Sequence, residues 1–248
     1  MSVDGRRRGL FIAFEGPEGS GKSTQAQMLA DRLQQAGLDV LLTREPGGTE
    51  LGERLRALMF RERSLPEMNP RVQALLMLAA RAQHVAERLR PWLNDGGVVV
   101  CDRFAASTLA YQGAGFGLEI SELDQMNAFA TAGVLPDVTL LLDLDVQIGV
   151  MRSLKQRGSD WEKAGGMNAQ KLEFHARVRR GYLEQAETDG WAVLDATQSP
   201  EDLSQEIWRR VEPEIGARTL RAAEAVQPPL PLAAGTAQGP PIDAAGRS

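Results

Sequence analysis

One short stretch near the amino terminus constrains what this chain can fold into and what it can bind. Gly16 to Ser23 reads Gly-Pro-Glu-Gly-Ser-Gly-Lys-Ser, which fits the phosphate-loop pattern G-x-x-x-x-G-K-[ST]. The apolar run Leu10 to Phe14 before it is typical of a buried strand, and Thr24 to Ala36 after it carries apolar side chains at helical spacing. A glycine-rich turn in this setting wraps a polyphosphate with backbone N–H groups and a helix N-terminus. The stretch therefore predicts a nucleoside triphosphate site.

The loop residues divide this task between them. We expect the donor nucleotide to contact the whole loop, which consists of Gly16, Pro17, Glu18, Gly19, Ser20, Gly21, Lys22 and Ser23. Lys22 would bridge the β- and γ-phosphates, and the Ser23 hydroxyl would ligate Mg²⁺. The alternative is a chance glycine-rich turn, which the flanking strand and helix disfavour.

A second metal-organising residue is predicted at the end of another apolar run. Val98 to Cys101 is followed by Asp102, and phosphate-loop proteins use a carboxylate in this place to hold Mg²⁺ directly or through water. The alternative is an ordinary buried strand that ends in a surface aspartate. The phosphate loop upstream favours the metal-binding interpretation, and Arg103 follows at the sheet edge where ligands bind in open α/β folds.

Strands and helices alternate along the rest of the chain. Further strands are predicted at Leu38 to Thr43, Val138 to Asp143 and Ala192 to Asp195. The alternation predicts an α/β chain with the phosphate-loop NTPase fold, a five-stranded parallel sheet with helices on both faces and a small lid. A long helix is expected from Asn69 to about Arg90, where Pro91 kinks or ends it. Its predicted core face consists of Val72, Leu75, Leu76, Ala79, Ala86 and Leu89.

Composition divides the chain into one domain and two appendages. Residues 10–212 form the predicted domain, after a short arm at 1–9. Within the domain, 157–169 is polar and without periodicity, as in a mobile lid. The last helix is expected to end near Glu212, and 213–248 is rich in Ala, Pro and Gly, which predicts a disordered tail.

Charge and cysteine usage exclude several classes of function. The formal net charge is −5 with both signs interspersed, which disfavours a nucleic-acid partner. Cys101 stands alone, so no internal disulfide forms and a reducing cytoplasm fits. The apolar run after Arg6 to Arg8 is too short for a signal peptide or membrane span. We expect a cytoplasmic protein that does not insert into membranes.

Missing motifs separate this chain from other phosphate-loop classes. It has no N-K-x-D guanine-reading motif, no Gly three residues after Asp102 as in GTPase switches, and no Glu directly after Asp102 as in many ATPases. Phosphoryl transfer between nucleotides instead requires many cations around the transferring group. The chain offers such a set: Lys22, Arg56, Arg103, Arg152, Lys155 and Arg157.

Five segments of the chain occur together, in the same order and spacing, in one known protein family. They are Phe14-Glu15-Gly16-Pro17-Glu18-Gly19-Ser20-Gly21-Lys22-Ser23, Thr43-Arg44-Glu45-Pro46-Gly47-Gly48, Ala79-Ala80-Arg81, Asp102-Arg103-Phe104 and Ala110-Tyr111-Gln112-Gly113. Together they resemble bacterial thymidylate kinases from about Leu10 to Glu212. The resemblance implies transfer of the γ-phosphate of ATP to dTMP with Mg²⁺, in dTTP biosynthesis. It also implies a homodimer packed through long helices, including Asn69 to Arg90.

The resemblance assigns the residues that would hold dTMP. Arg103 and Arg56 would bind its phosphate, Arg81 would hydrogen-bond the thymine carbonyl, and Thr108 and Gln112 would read the base edge. The alternative for Arg81 and Arg56 is that each is an exposed surface charge that binds no ligand.

Three further assignments concern the sugar, the metal and the base face. Tyr111 would sit against the deoxyribose and disfavour a 2′-hydroxyl, although simple core packing is the alternative. Glu18 would lie near the sugar hydroxyl and the metal, beside the Ser23 and Asp102 pair. Relatives commonly stack an aromatic side chain on thymine where this chain has Met77, whose sulfur lies against a ring without full stacking.

The catalytic cation is expected in the lid. The family places it either in the phosphate loop or in the lid, and Pro17 to Ser20 carries no basic residue. Arg157 and Arg152 are the candidates, acting with Lys22 and Asp102. Where relatives often read Asp-Arg-x-Glu, the lid has Asp160-Trp161-Glu162, so the choice between the two arginines stays open. Two other functions also stay open: a kinase for another nucleotide or nucleoside, and an ATP-binding switch protein.

Overall fold

A computed structural model describes residues 9–60, 62, 68–157 and 169–225. Its sheet has five parallel strands in the order β2-β3-β1-β4-β5. The strands are β1 Leu10–Glu15, β2 Val40–Arg44, β3 Val98–Asp102, β4 Val138–Asp143 and β5 Ala192–Asp195. The predicted five-stranded parallel sheet is therefore confirmed.

Nine α-helices are present in the described part of the chain. In chain order they are α1 Lys22–Gln35, α2 Glu50–Phe60, α3 Pro70–His84, α4 Arg90–Asn94, α5 Ala105–Thr108, α6 Ile120–Thr131, α7 Val146–Arg157, α8 Ala169–Asp189 and α9 Pro200–Ala225. Two π-helical segments, Val85–Leu89 and Leu109–Gly115, continue α3 into α4 and extend α5.

Helices cover both faces of the sheet, as predicted. Every residue of the central strand β1 is buried, because its side chains alternate between two cores. Ile12 and Phe14 pack in the core formed with α1 and α9, whereas Phe11 and Ala13 pack with residues of the π-helical segment and α4.

Strand register places the predicted site residues together. Phe14 of β1 and Arg44 of β2 both pair with Asp102 of β3, so the carboxyl ends of the three strands meet at one edge. The phosphate loop follows β1 at the same edge. Ligands bind at this edge in open α/β sheets.

The long third helix differs from the prediction at its end and on its buried face. Pro91 does not end it, because the π-helical turn places this proline at the start of α4, where a backbone N–H is not required. The predicted face was wrong at four of its six positions: Val72 and Leu75 are 45% and 55% exposed, and Ala79 and Ala86 are exposed too, whereas Leu76 is half-buried and Leu89 is buried as predicted. The helix instead buries a mixed face of Ala74, Met77, Leu78, Ala80, Arg81 and His84, whose polar members an apolar pattern cannot reveal.

The last helix passes the residue where it was expected to stop. Pro213 lies inside α9, which continues to Ala225 through strong helix formers. The predicted helix end near Glu212 is therefore wrong. The predicted disordered tail at 213–248 is helical up to Ala225, and its remainder at 226–248 lies outside the described residues. Residues 1–8 of the predicted arm at 1–9 and residues 158–168 of the predicted lid at 157–169 lie outside them too.

Candidate active site

The phosphate loop folds around its own lysine. Lys22 begins α1 and is 6% exposed; its Nζ donates to the Pro17 carbonyl at 2.7 Å and the Ser20 hydroxyl at 3.1 Å. Burial, followed by the nearby charge of Arg103, lowers the pKa of Lys22 to about 7. A polyphosphate would restore its positive charge, so the loop is suited to an anion.

Helix α7 holds the loop from its other side. Gly19 has a φ of +73°, and a Cβ on it would lie 2.1 Å from the carbonyl oxygen of Gly149. Further along α7, Ser153 donates from Oγ to Glu18 Oε1 at 3.0 Å. The helix that leads into the predicted lid is therefore anchored directly on the phosphate loop.

The two predicted metal-organising residues are in contact. Ser23 Oγ donates to Asp102 Oδ2, and Asp102 Oδ1 is buried without a hydrogen-bond partner among the described residues. Such hard oxygen donors suit Mg²⁺, which takes few protein ligands when phosphate oxygens and water complete its shell. The described ranges contain no cluster of three or more His, Cys, Asp or Glu side chains that could hold a metal by themselves. The pair fits a metal that arrives with a nucleotide.

Two cavities meet beside the loop. The smaller, of about 290 Å³, is lined by the phosphate loop and Asp102. The larger, of about 760 Å³, extends towards α3, the π-helical segment Leu109–Gly115 and α8. Four residues line both cavities, namely Glu18, Glu45, Arg56 and Arg103. A ligand in one cavity would therefore lie next to a ligand in the other.

Arg103 lies where the two cavities meet, and hydrogen bonds fix its side chain. Its Nη1 donates to the Gly16 carbonyl at 3.1 Å and its Nη2 to the Tyr111 hydroxyl at 3.1 Å. The Tyr111 ring centroid lies 4.9 Å from its Cζ. Arg103 has a φ of +72°, which is uncommon for a residue with a Cβ and often marks functional positions.

Arg56 is also placed at the junction. Its Nη1 donates to the Pro46 carbonyl at 2.9 Å, and the side chain lines both cavities. The alternative of a merely solvated helix arginine does not hold. Both predicted phosphate-binding arginines therefore face the same place.

Arg81 is a buried structural centre, which the sequence did not reveal. It is 0% exposed; Nε donates to Glu45 Oε2 at 2.7 Å, and Nη1 donates to Thr108 Oγ1 at 2.9 Å and Asn127 Oδ1 at 2.5 Å. Nη2 donates to the Phe104 carbonyl at 3.0 Å. The alternative of an exposed charge is wrong. Arg81 and Thr108 lie behind the lining of the larger cavity, and their contact with a base stays a prediction.

Glu45 carries this network to the cavity surface. Its Oε1 lies 3.0 Å from His84 Nδ1, and His84 Nε2 lies 2.8 Å from Thr43 Oγ1. His84 is 0% exposed, so both of its ring nitrogens find their partners inside the protein. The carboxylate of Glu45 is thus held between Arg81 and His84 while its residue lines both cavities.

The remaining predicted acceptor residues line the larger cavity. Gln112 is 6% exposed, and its Oε1 is buried without a hydrogen-bond partner among the described residues. A buried acceptor of this kind is costly unless a ligand donates to it. Met77 and Tyr111 line the same cavity. Three aromatic residues that were not predicted join them: Phe60, Phe116 and Phe174.

A buried carboxylate beneath Arg103 was missed altogether. Glu15 ends β1 and is 1% exposed; it accepts hydrogen bonds from Phe104 N at 2.8 Å, Ser107 Oγ at 2.6 Å and the Tyr182 hydroxyl at 3.1 Å. Burial raises the pKa of Glu15, and the Ser107 hydrogen bond opposes that rise. One signal was available, because Glu15 is the only charged residue in an otherwise apolar strand.

The structure describes the side chain of only one of the two candidate lid arginines. Arg152 Nη1 donates to the Ala196 carbonyl at 2.8 Å, in the loop after β5. Arg157 ends α7, and its side chain lies outside the described residues, as does Trp161.

Among the described helices, none is long and apolar enough to cross a membrane.

Comparison with known proteins identifies the family. The family model described as thymidylate kinase matches residues 14–207. The thymidylate kinase of Roseiflexus sp. (strain RS-1) is 45% identical over 219 residues, covering 85% of this chain and 96% of the relative. The thymidylate kinase of Solidesulfovibrio magneticus is 48% identical over 203 residues, covering 80% and 97%.

A solved structure gives the same result for the fold. The crystal structure of thymidylate kinase from Ehrlichia chaffeensis matches with a TM-score of 0.67 and 31% identity, covering 82% of this chain and 99% of that one. The sheet, the phosphate loop and the relatives agree. The chain therefore belongs to the thymidylate kinase family and has its phosphate-loop NTPase fold.

Proposed function

We propose how the residues of this site divide the work of a thymidylate kinase, which transfers the γ-phosphoryl group of ATP to dTMP and gives dTDP and ADP. The observation that carries the proposal is the shared wall of the two cavities, formed by Glu18, Glu45, Arg56 and Arg103. A donor in the phosphate loop and an acceptor in the larger cavity would meet there. Adjacent sites permit direct in-line transfer without a covalent enzyme intermediate.

On the donor side, the loop and Lys22 bind the phosphates of ATP. Lys22 is pre-placed by its hydrogen bonds to Pro17 and Ser20, and it becomes fully charged when the triphosphate enters. Ser23 and Asp102 would hold Mg²⁺, which neutralises charge on the phosphates when bound.

On the acceptor side, Arg103 and Arg56 hold the dTMP phosphate at the junction. Gln112 supplies a buried acceptor for a base N–H, and Tyr111 forms the wall beside the sugar. Arg81 supports Glu45 and Thr108 from behind the cavity. Glu18, held by Ser153, faces both nucleotides.

Arg157 is the better candidate for the lid cation. Arg152 is held on the Ala196 carbonyl, and it does not belong to the lining of the phosphate cavity within the described residues. Arg157 lies at the carboxyl end of α7 and is the first residue of the predicted lid at 157–169. A cation delivered from there would stabilise charge on the transferring group.

A homodimer and a cytoplasmic location complete the proposal. Val72 and Leu75 of α3 are exposed apolar residues on one helix face, and Phe129 of α6 is 88% exposed. Exposed apolar surface of this kind marks interaction sites, and pairing with a second copy of the chain would bury it. Cys101 is a free thiol, which suits the reducing cytoplasm where nucleotides are made.

A stoichiometric assay tests the function. The protein, ATP, Mg²⁺ and dTMP should yield dTDP and ADP in equal amounts, and ATP without dTMP should yield little ADP. ATP binding without any dTDP would contradict the proposal and support an ATP-binding switch.

Met77 favours a second candidate function, a kinase for another nucleoside monophosphate. The side chain lines the acceptor cavity where an aromatic ring would stack on thymine. Replacing Met77 by Phe should lower the KM for dTMP severalfold if thymine lies against it. A Met77→Phe variant that loses dTMP turnover and keeps that of another nucleotide would support the second candidate.

A further inference from the structure

We propose that Tyr182 is a positioning residue for Arg103, so that helix α8 sets the place where the acceptor phosphate is held. The inference rests on the proposed function of Arg103. Tyr182 is 0% exposed and lies on α8, the helix that follows the predicted lid. Its hydroxyl lies 2.9 Å from Arg103 Nη1 and 2.7 Å from Ser107 Oγ.

Among the described residues, four groups accept hydrogen bonds from the Arg103 guanidinium, and Tyr182 is one of them. The hydrogen bond to Tyr182 is the shortest that its guanidinium makes, compared with 3.1 Å to Gly16 O, 3.3 Å to Ser107 Oγ and 3.1 Å to the Tyr111 hydroxyl. The other three partners, Gly16, Ser107 and Tyr111, lie in segments that come shortly after β1 or β3 in the sequence. Tyr182 alone of these four comes from the distant helix α8, so it fixes the guanidinium from a separate element.

The hydroxyl protons give the contacts one direction. Ser107 Oγ lies 2.6 Å from Glu15 Oε2, so its single proton goes to the carboxylate. The Tyr182 proton is then shared between Ser107 Oγ at 2.7 Å and Glu15 Oε2 at 3.1 Å, and a lone pair of Tyr182 accepts from Arg103. The chain runs from Arg103 through Tyr182 to the buried carboxylate of Glu15, both directly and through Ser107. A phenylalanine at 182 breaks it in the middle.

Simple packing is the competing explanation for Tyr182. Its side chain belongs to a small core with Ala110, Leu141, Val178 and Ala186. Phenylalanine fills the same space, so packing predicts that Tyr182→Phe is nearly silent. Positioning of Arg103 predicts a specific loss of acceptor binding, because only the hydroxyl is removed.

The test is steady-state kinetics of Tyr182→Phe with dTMP and ATP varied separately. Because Arg103 holds the acceptor phosphate before and during transfer, the KM for dTMP should rise about tenfold, as expected for a lost hydrogen bond to a charged group. The KM for ATP should stay within twofold, and kcat should fall much less than the dTMP KM rises. An unchanged dTMP KM would overturn the inference while leaving the proposed function intact.

Two further variants separate positioning from structure. Ser107→Ala removes the serine link of this chain and the 3.3 Å contact of Ser107 with Arg103 but leaves Tyr182 on Glu15, so it should raise the dTMP KM less than Tyr182→Phe does, and the double variant should fall short of the summed effects. Gln185→Ala removes a contact of α8 with the Ala106 carbonyl at 3.4 Å without touching Arg103, so its dTMP KM should match the wild type. Fully additive effects, or an equal effect of Gln185→Ala, would refute positioning. A wild-type protein that forms no dTDP would refute the proposed function and the inference together.

Discussion

Replacing Arg81 by alanine should destabilise the protein much more than loss of a ligand contact could. The wholly buried guanidinium donates four hydrogen bonds, including 2.5 Å to Asn127 Oδ1 and 2.7 Å to Glu45 Oε2. Alanine leaves the Glu45 carboxylate, which is 3% exposed, with His84 as its remaining side-chain partner among the described residues.

The size of the loss follows from the burial of the pair. Removing one partner of a buried ion pair costs about 3–5 kcal/mol, because an uncompensated charge stays inside the protein. For a chain of this length, about 2–4 °C per kcal/mol turns that loss into a fall in Tm of roughly 10 °C. An arginine that only touched a ligand would leave the ligand-free protein unchanged.

Urea unfolding without nucleotide, with thermal unfolding alongside, measures this difference. Arg54→Ala is the matched control, because its pair with Glu50 has side chains 75% and 80% exposed and should contribute less than about 1 kcal/mol. Combining Arg81→Met with Glu45→Gln should recover most of the stability, since both charges are then removed. An Arg81→Ala midpoint equal to that of Arg54→Ala would refute the buried network.

The remaining predictions concern the two nucleotides, pH and the tail. Arg103→Ala should abolish dTMP binding in calorimetry while ATP binding survives; unchanged dTMP affinity would remove it from the acceptor site. Arg157→Ala should lower kcat by at least about a hundredfold with little change in either KM, as expected for a cation on the transferring group; a wild-type kcat would point to Arg152. Because folding lowers the pKa of Lys22 from its ordinary value of 10.5 to about 7, the unfolded chain binds more protons between these values. Stability of the ligand-free protein should therefore gain from Lys22 as pH rises from 7 towards 10.5, so urea unfolding at pH 7 and 9 should show a smaller gain for Lys22→Met; equal gains would contradict the lowered pKa. A chain cut after Ala225 should keep the wild-type kcat and Tm, and a loss of either would mean that the tail is structural.

Much of the fold and the donor site could be predicted because their signals are local. The phosphate loop is a contiguous pattern, and the buried strands read as continuous apolar runs. Asp102 was predictable because it ends such a run at the sheet edge where the loop lies. These features depend on neighbouring residues only.

The residues whose roles were not predicted are those whose burial depends on partners far away in the sequence. The buried face of α3 includes Arg81 and His84 because Glu45, Thr108 and Asn127 satisfy them, and these partners lie 27 to 46 positions away from Arg81 in the sequence. Apolar periodicity cannot register a polar side chain that is buried with its partners. Tyr182 was overlooked for the same reason, since its partner Arg103 is 79 positions away.

The predictions of the two helix ends were wrong because the backbone accommodates a proline in each helix. Pro91 is tolerated because a π-helical turn places it at the start of α4, and Pro213 is carried inside α9. A proline in the sequence predicts a helix break only on average. The π-helical turn has no distinctive sequence signal, whereas the helix formers between Pro213 and Ala225 were an available signal for the continuation of α9.

The most direct test of the central claim is a comparison of acceptors with the wild-type protein. The kcat/KM for dTMP should be measured beside those for dUMP, UMP, dCMP, dGMP and thymidine, each with saturating ATP and Mg²⁺. We expect dTMP to be the best substrate, because the cavity joins phosphate-binding arginines to a buried Gln112 acceptor and the Tyr111 wall. Negligible turnover of dTMP beside efficient turnover of another acceptor would contradict the account.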